Sequence, residues 1–185
     1  MGETKPHRYV IVGGPGVGKS TLAVALVQRC GLVRVELDEL WWGPNWTSTN
    51  AHDLAAQVTE RISDVDGWVA DGNYLDEVAS VLWSEADVIV WLDLPRRVGF
   101  ASAVSRTIRR VIGRQELWNG NRESWRVLTS PSLLALWRRC PDYPSHIEAL
   151  AERDPSYSSK LVRLRSRREV AEWTSEQPGD VSVSP

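Results

Sequence analysis

The stretch Gly13-Gly-Pro-Gly-Val-Gly18-Lys19-Ser20 constrains this chain more than any other. It satisfies G-x4-G-K-[ST], and its setting is the one that pattern requires. Before it, Tyr9-Val-Ile-Val12 is a short apolar run that reads as a buried strand. After it, Ser20 to Cys30 is apolar almost throughout and stops at Gly31, which reads as a buried helix with a glycine just past its end. A strand that turns through glycines straight into a helix aims backbone amides and the positive helix end at an anion. Gly13, Gly14, Pro15, Gly16, Val17 and Gly18 therefore form the expected cradle for a polyphosphate, continued by Lys19, Ser20 and Thr21. Lys19 would reach the outer phosphates, and the Ser20 hydroxyl would take a Mg2+ ion. The expected ligand is ATP rather than GTP, because the guanine-reading tetrapeptide N-K-x-D does not occur.

The rest of the chain repeats the alternation that this motif begins. Further strands are expected at Leu32–Leu37, Trp68–Ala70, Asp87–Leu94 and Lys160–Leu164. Further helices are expected after the Thr47–Asn50 cap cluster (with Leu54, Val58 and Ile62 four apart), at Asp76–Glu85, from Pro95 to Gly113, at Leu133–Arg139 and from the Ser166-x-x-Glu169 capping box to Trp173. Near-continuously apolar strands separated by helices predict an α/β fold, a parallel sheet covered by helices on both faces. Such sheets bind ligands at the carboxyl ends of their strands. With 185 residues, one domain over 1–173 is expected, with a polar lid candidate at about 106–130 and a flexible tail over 174–185.

Composition matters at two points. The two cysteines and the absence of an apolar leader make a reducing cytoplasm the expected location, and uncharged apolar runs such as Val88–Leu92 are too short to span a bilayer. Charge is sorted along the chain: Arg96–Arg139 holds ten arginines against two acids, whereas Val35–Pro95 holds thirteen acids against Arg61 alone. One half is built to meet an anion and the other is not.

These features resemble the adenylate-kinase-like P-loop kinases. Gly13-Gly-Pro-Gly-Val-Gly-Lys is close to their loop, Asp71-Gly72 falls where that family has D-G-F-P-R, and Arg110-Val-Ile-Gly-Arg114 looks like the R-x-x-x-R lead-in to its mobile lid. The order Leu37-Asp38-x4-Gly43-Pro-x-Trp46, Asp71-Gly-Asn-Tyr74 and Trp91-Leu-Asp93-Leu-Pro95 is closer still to the bacterial group labelled "DNA topology modulation protein". The resemblance spans roughly residues 9–173 and implies a three-layer fold with a five-stranded sheet of order 2-3-1-4-5. It implies that Asp71 is the magnesium-side carboxylate and that Arg110 and Arg114 close on the triphosphate, and it places Arg165 near the adenine. From the residues themselves, the strand-end Asp93 is the alternative carboxylate, and Arg106 and Arg122 are further candidates to approach the γ-phosphate.

The acceptor side departs from adenylate kinases. The arginines that grip their acceptor phosphate, one in the helix after strand two and one closing D-G-F-P-R, have no counterpart here. A dianionic acceptor wants charge-assisted forks, so AMP is disfavoured and a small neutral or cationic hydroxyl compound is expected. Asp38, at the carboxyl edge of strand two, stands about where shikimate and gluconate kinase types carry an aspartate that orients the hydroxyl and takes its proton. Trp41, Trp42 and Trp46 would wall the acceptor, with Asn73 and Tyr74 beside them. The expected activity is ATP- and Mg2+-dependent phosphoryl transfer to that acceptor. Two alternatives stand beside it: a nucleoside monophosphate kinase, and an ATP-binding regulator with little transfer. No DNA-reading element appears, and nucleic acid is a disfavoured partner.

Overall fold

The computed structural model describes residues 7–73, 77–126 and 142–179. Five parallel strands form one sheet: β1 (Arg8–Gly13), β2 (Val33–Glu36), β3 (Trp68–Asp71), β4 (Val88–Leu92) and β5 (Leu161–Leu164). Their order is β2-β3-β1-β4-β5, the expected one. Register follows from β1, where Ile11 pairs with Asp71 on one side and with Val90 on the other.

Alternation of side chains along β1 divides the core in two. Val10 and Val12 face one layer, with Leu54, Val58, Leu82, Trp83 and Ile147. Tyr9 and Ile11 face the other, with Leu22, Leu26, Val90 and Trp173. The first layer is built by α3 (Ala51–Ser63), α4 (Glu77–Glu85) and α6 (Asp142–Glu152), and the second by α1 (Lys19–Cys30) and α8 (Arg167–Glu176). Trp68, Trp83 and Trp91 are fully buried. Among the described residues, no helix is long and apolar enough to cross a membrane.

Several boundaries differ from the expected ones. Strand β2 stops at Glu36, and Leu37–Trp41 turns at once into a short helix, α2. Burial of Leu37 and the acids Asp38 and Glu39 in its first turn favour that turn. Asp154-Pro155 starts a helix: Asp154 accepts from the Ser156 amide and Pro155 opens α7 (Pro155–Lys160), so β5 begins one residue late. Helix α8 runs past Trp173 to Glu176, and the chain beyond is tied down by Arg29 Nε donating to Gln177 O at 2.6 Å. Helix α5 (Arg96–Ile112) follows Pro95 as expected, and α6 was not foreseen. Tyr74 and the Leu133–Arg139 helix lie outside the described residues.

Candidate active site

Between β1 and α1 the chain makes its phosphate loop. Gly13, Gly16 and Gly18 adopt φ of 145°, 73° and 107°, conformations that side chains with a Cβ resist. No side chain caps α1, and its first turn carries no acid. Its leading amides are therefore left for an anion. A Cβ placed on Gly18 would meet no atom within 4 Å, so the loop opens onto empty space there. Lys19 folds back, its Nζ donating to Gly13 O at 2.9 Å and to Gly14 O at 3.0 Å. These residues fit a triphosphate tail.

That space is a cavity of about 1720 Å³, and it brings most of the expected residues together. Gly16 to Thr21 line it. So do Asp38, Trp41, Trp42 and Asn73, with Glu36, Glu39 and Asp71. The Gly13 amide donates to Asn73 Oδ1 at 3.3 Å, which ties Asn73 to the loop. Arg106, Arg109 and Arg110 of α5 line the same cavity. Trp46 is absent from this lining; it stacks edge-on against Trp42 with ring centroids 5.6 Å apart.

Arginines partner both strand-end aspartates. Arg34 Nε and Nη2 reach the two oxygens of buried Asp71 at 2.9 and 3.1 Å, while Arg34 Nη1 pairs with Glu36 at 2.8 Å. Asp93 accepts from Arg163 Nε and Nη2 at 2.9 and 2.8 Å, and that guanidinium lies 3.9 Å from the Trp91 ring centroid. Only Asp71 shares the cavity with Lys19 and Ser20. Among the described residues no three His, Cys, Asp or Glu side chains cluster as a metal site. A Mg2+ ion would therefore rest on Ser20, the phosphates and a carboxylate beyond them, the usual arrangement when a metal travels with its nucleotide.

Of the arginines expected to close on the triphosphate, Arg110 lines the cavity but pairs with Glu123 at 3.1 Å. Arg114 and Arg122 are exposed and lie outside it, with Arg122 paired to Glu116 at 3.2 Å. Arg106 does line it and makes no ion pair among the described residues. Its guanidinium has its pKa lowered, first by burial and then by Arg110 beside it. Arg165 sits in a second, smaller cavity of about 390 Å³ behind Gly14 and Pro15, together with Asp93.

Sequence reasoning missed Arg34, Trp118 and the asparagines that hold Trp118. Arg34 stands one position before the acid-rich window and reads as an outward residue of a strand. Its partner Asp71 comes from the neighbouring strand, two positions along the register of β2 and β3, where Arg34 pairs with Val69 and Glu36 with Asp71.

No family model and no curated protein matches this chain. Among solved structures it is similar to the crystal structure of a gluconokinase from Sinorhizobium meliloti 1021, with a TM-score of 0.53 and 20% identity over 93% of this chain and 89% of that one. At that identity the likeness establishes the fold.

Proposed function

We propose that this protein is an ATP-dependent phosphotransferase that moves the γ-phosphoryl group to a hydroxyl of a small acceptor other than AMP. One observation carries the reading: a single cavity is lined by the phosphate loop, an aspartate just past β2 and three arginines of α5. A phosphotransferase needs donor, acceptor and charge neutralisation within one water-poor space. The similarity to a gluconokinase agrees with this reading.

In this scheme Lys19 leaves the Gly13 and Gly14 carbonyls for the phosphates, and the α1 amides hold the β-phosphate. Ser20, with Asp71 behind it, would hold a Mg2+ ion, which would supply charge neutralisation to the phosphates. The bond from the γ-phosphorus to the ADP oxygen breaks as a bond to the acceptor oxygen forms, and the acceptor proton passes to Asp38. Arg106 faces the transferring group.

The acceptor's charge follows from Arg34. It is a cation at the acceptor end, and all three of its guanidinium nitrogens are already engaged by Asp71 and Glu36. A phosphate dianion there would meet Glu36, Asp38 and Glu39 without an uncommitted fork from Arg34. A neutral or cationic hydroxyl compound fits. The small number of cysteines in the sequence, two, agrees with a reducing cytoplasm.

The test is transfer from labelled ATP to a panel of neutral polyols and sugars, amino sugars, sugar acids and nucleoside monophosphates. Transfer to a neutral or amino compound is expected, and Asp38→Asn should lower kcat by roughly 10²-fold or more, the usual worth of a general base. Full-rate transfer by the variant would remove Asp38 from the mechanism. AMP as the best acceptor would replace this reading with nucleoside monophosphate kinase activity.

A further inference from the structure

Two hairpins of the same construction face each other at the acceptor end of the cavity. In one, Trp42 bridges Ser48; in the other, Glu116 bridges Arg122. Each is closed by two consecutive residues in the left-handed region, Asn45 and Trp46 at φ 56° and 58°, Asn119 and Gly120 at φ 55° and 77°. That is the turn type that matches hairpin twist. Each carries the same inner backbone bond at 2.7 Å, Gly43 N–H to Thr47 O and Leu117 N–H to Asn121 O.

The two are stapled together by asparagines. The Asn121 side chain is only 4% exposed and spans both hairpins. Its Oδ1 accepts from the Trp46 amide at 2.8 Å, and its Nδ2 donates to Gly43 O and to Trp118 O, each at 2.9 Å. Asn119 Nδ2 donates to Trp42 O at 2.6 Å and to Glu39 O at 3.3 Å. The tryptophan just before them, Trp118, lines the cavity with Glu36 and Asp38, and the Arg110 guanidinium lies 5.7 Å from its ring centroid.

We infer that Trp118 is a specificity-determining residue of the acceptor pocket and that Asn121 is its positioning residue, holding it in place before any nucleotide binds. The argument is steric and polar. Asn121 holds the Trp118 backbone at its carbonyl, and the indole N–H donates to the Glu36 carboxylate, so backbone and ring are both tethered at the cavity. An indole held in this way suits the ring or CH surface of a compact acceptor and excludes a bulkier one by filling its space. The Asn121 carboxamide also satisfies Trp46, whose left-handed backbone is unusual for so large a residue. Loss of Asn121 should therefore loosen both hairpins at once. The word acceptor rests on the phosphotransferase reading; the coupling of the hairpins does not.

Hydrogen exchange on the free protein tests the coupling. The amides of Trp46, Leu117 and Asn121 are expected to be protected without nucleotide. Asn121→Ala should speed exchange by about ten-fold in residues 42–48 and 116–122 together, with β1 and β4 unchanged, as for the loss of one or two buried hydrogen bonds. Asn119→Ala should do the same more weakly, which guards against a misfolded Asn121 variant. Protection of 116–122 that develops only on adding Mg2+ and a non-hydrolysable ATP analogue would overturn the inference. So would an Asn121→Ala effect confined to its own hairpin. In the acceptor panel, Trp118→Ala should raise acceptor KM by about ten-fold, more than it lowers kcat, and admit bulkier acceptors, as for removing a large pocket wall. An unchanged KM for every transferred acceptor removes the specificity role. Failure to transfer to any acceptor removes it along with the phosphotransferase reading, while exchange still decides the coupling.

Discussion

Gly99 lies on α5, outside every motif, yet it meets the phosphate loop backbone to backbone. A Cβ on Gly99 would stand 2.6 Å from Pro15 O, and one on Gly16 would stand 2.0 Å from Gly99 O. Gly99→Ala must push the loop away. Overpacking of this kind costs about 1–3 kcal/mol, so a lower Tm is expected together with at least a roughly ten-fold weaker Mg·ATP Kd by calorimetry, since the cradle amides move with Pro15. Wild-type values for both would mean that the loop tolerates the displacement. Gly13 to Lys19 is legible in sequence because its geometry is local and each residue type answers to one backbone need. Gly99 is not, because its requirement is imposed by a segment far away along the chain. The Arg34–Asp71 fork is hidden for the same reason: register, not spacing, brings the two together.

Glu36 makes a second residue-scale test. Burial, the largest influence, pushes its carboxyl above the ordinary range; Arg34 beside it pulls down, Asp71 pushes up, and the Trp118 indole N–H pulls down. A raised carboxyl pKa favours the protonated form in the folded state. The associated stability is present below the ordinary value, about 4.3, and is lost as pH rises through the raised one. Urea midpoints of wild type should therefore fall relative to Glu36→Gln as pH rises from about 4.3. Parallel curves would mean that the folded environment leaves Glu36 unshifted.

At the scale of elements, most of the framework was legible and one arrangement was not. The strand–helix alternation follows from local periodicity and caps, and these persist in the structure. Asn50 is an example: it stands in a Thr-Ser-Thr-Asn cluster, and its Oδ1 accepts from the Asp53 amide at 2.8 Å at the start of α3. Asn50→Ala should cost about 1 kcal/mol, read as a lower urea midpoint with an unchanged m-value. An unaltered midpoint would mean that water caps α3 equally well. The paired hairpins were not legible, although each carries asparagine at its turn. Nothing in either segment specifies that Asn119 and Asn121 spend their side chains on the backbone of the other hairpin. Trp41 and Trp42 were placed at the cavity by their nearness to Asp38, but Trp118 reaches it only through that docking.

For the whole molecule, the charge sorting visible in sequence meets in one cavity. Glu36, Asp38, Glu39 and Asp71 line it together with Arg106, Arg109 and Arg110. Part of the arginine-rich segment thus lines the cavity that holds the phosphate loop. Two consequences separate a nucleotide site from a DNA-binding regulator. Mg·ATP affinity should weaken as salt shortens the screening length from about 10 Å at 0.1 M to about 3 Å at 1 M. Arg106→Gln should flatten that dependence and cost about ten-fold in affinity, since a hydrogen bond to a charged group is worth roughly 1.5–3 kcal/mol. Arg122→Gln, outside the cavity and already paired with Glu116, should do neither. A salt slope insensitive to Arg106 but lost on neutralising exposed arginines, accompanied by salt-sensitive DNA binding, would move the function from the cavity to the surface. Calorimetry of Mg·ATP binding and a DNA titration, each across a salt series, decide between them, because only the cavity reading ties the electrostatics to one inward arginine.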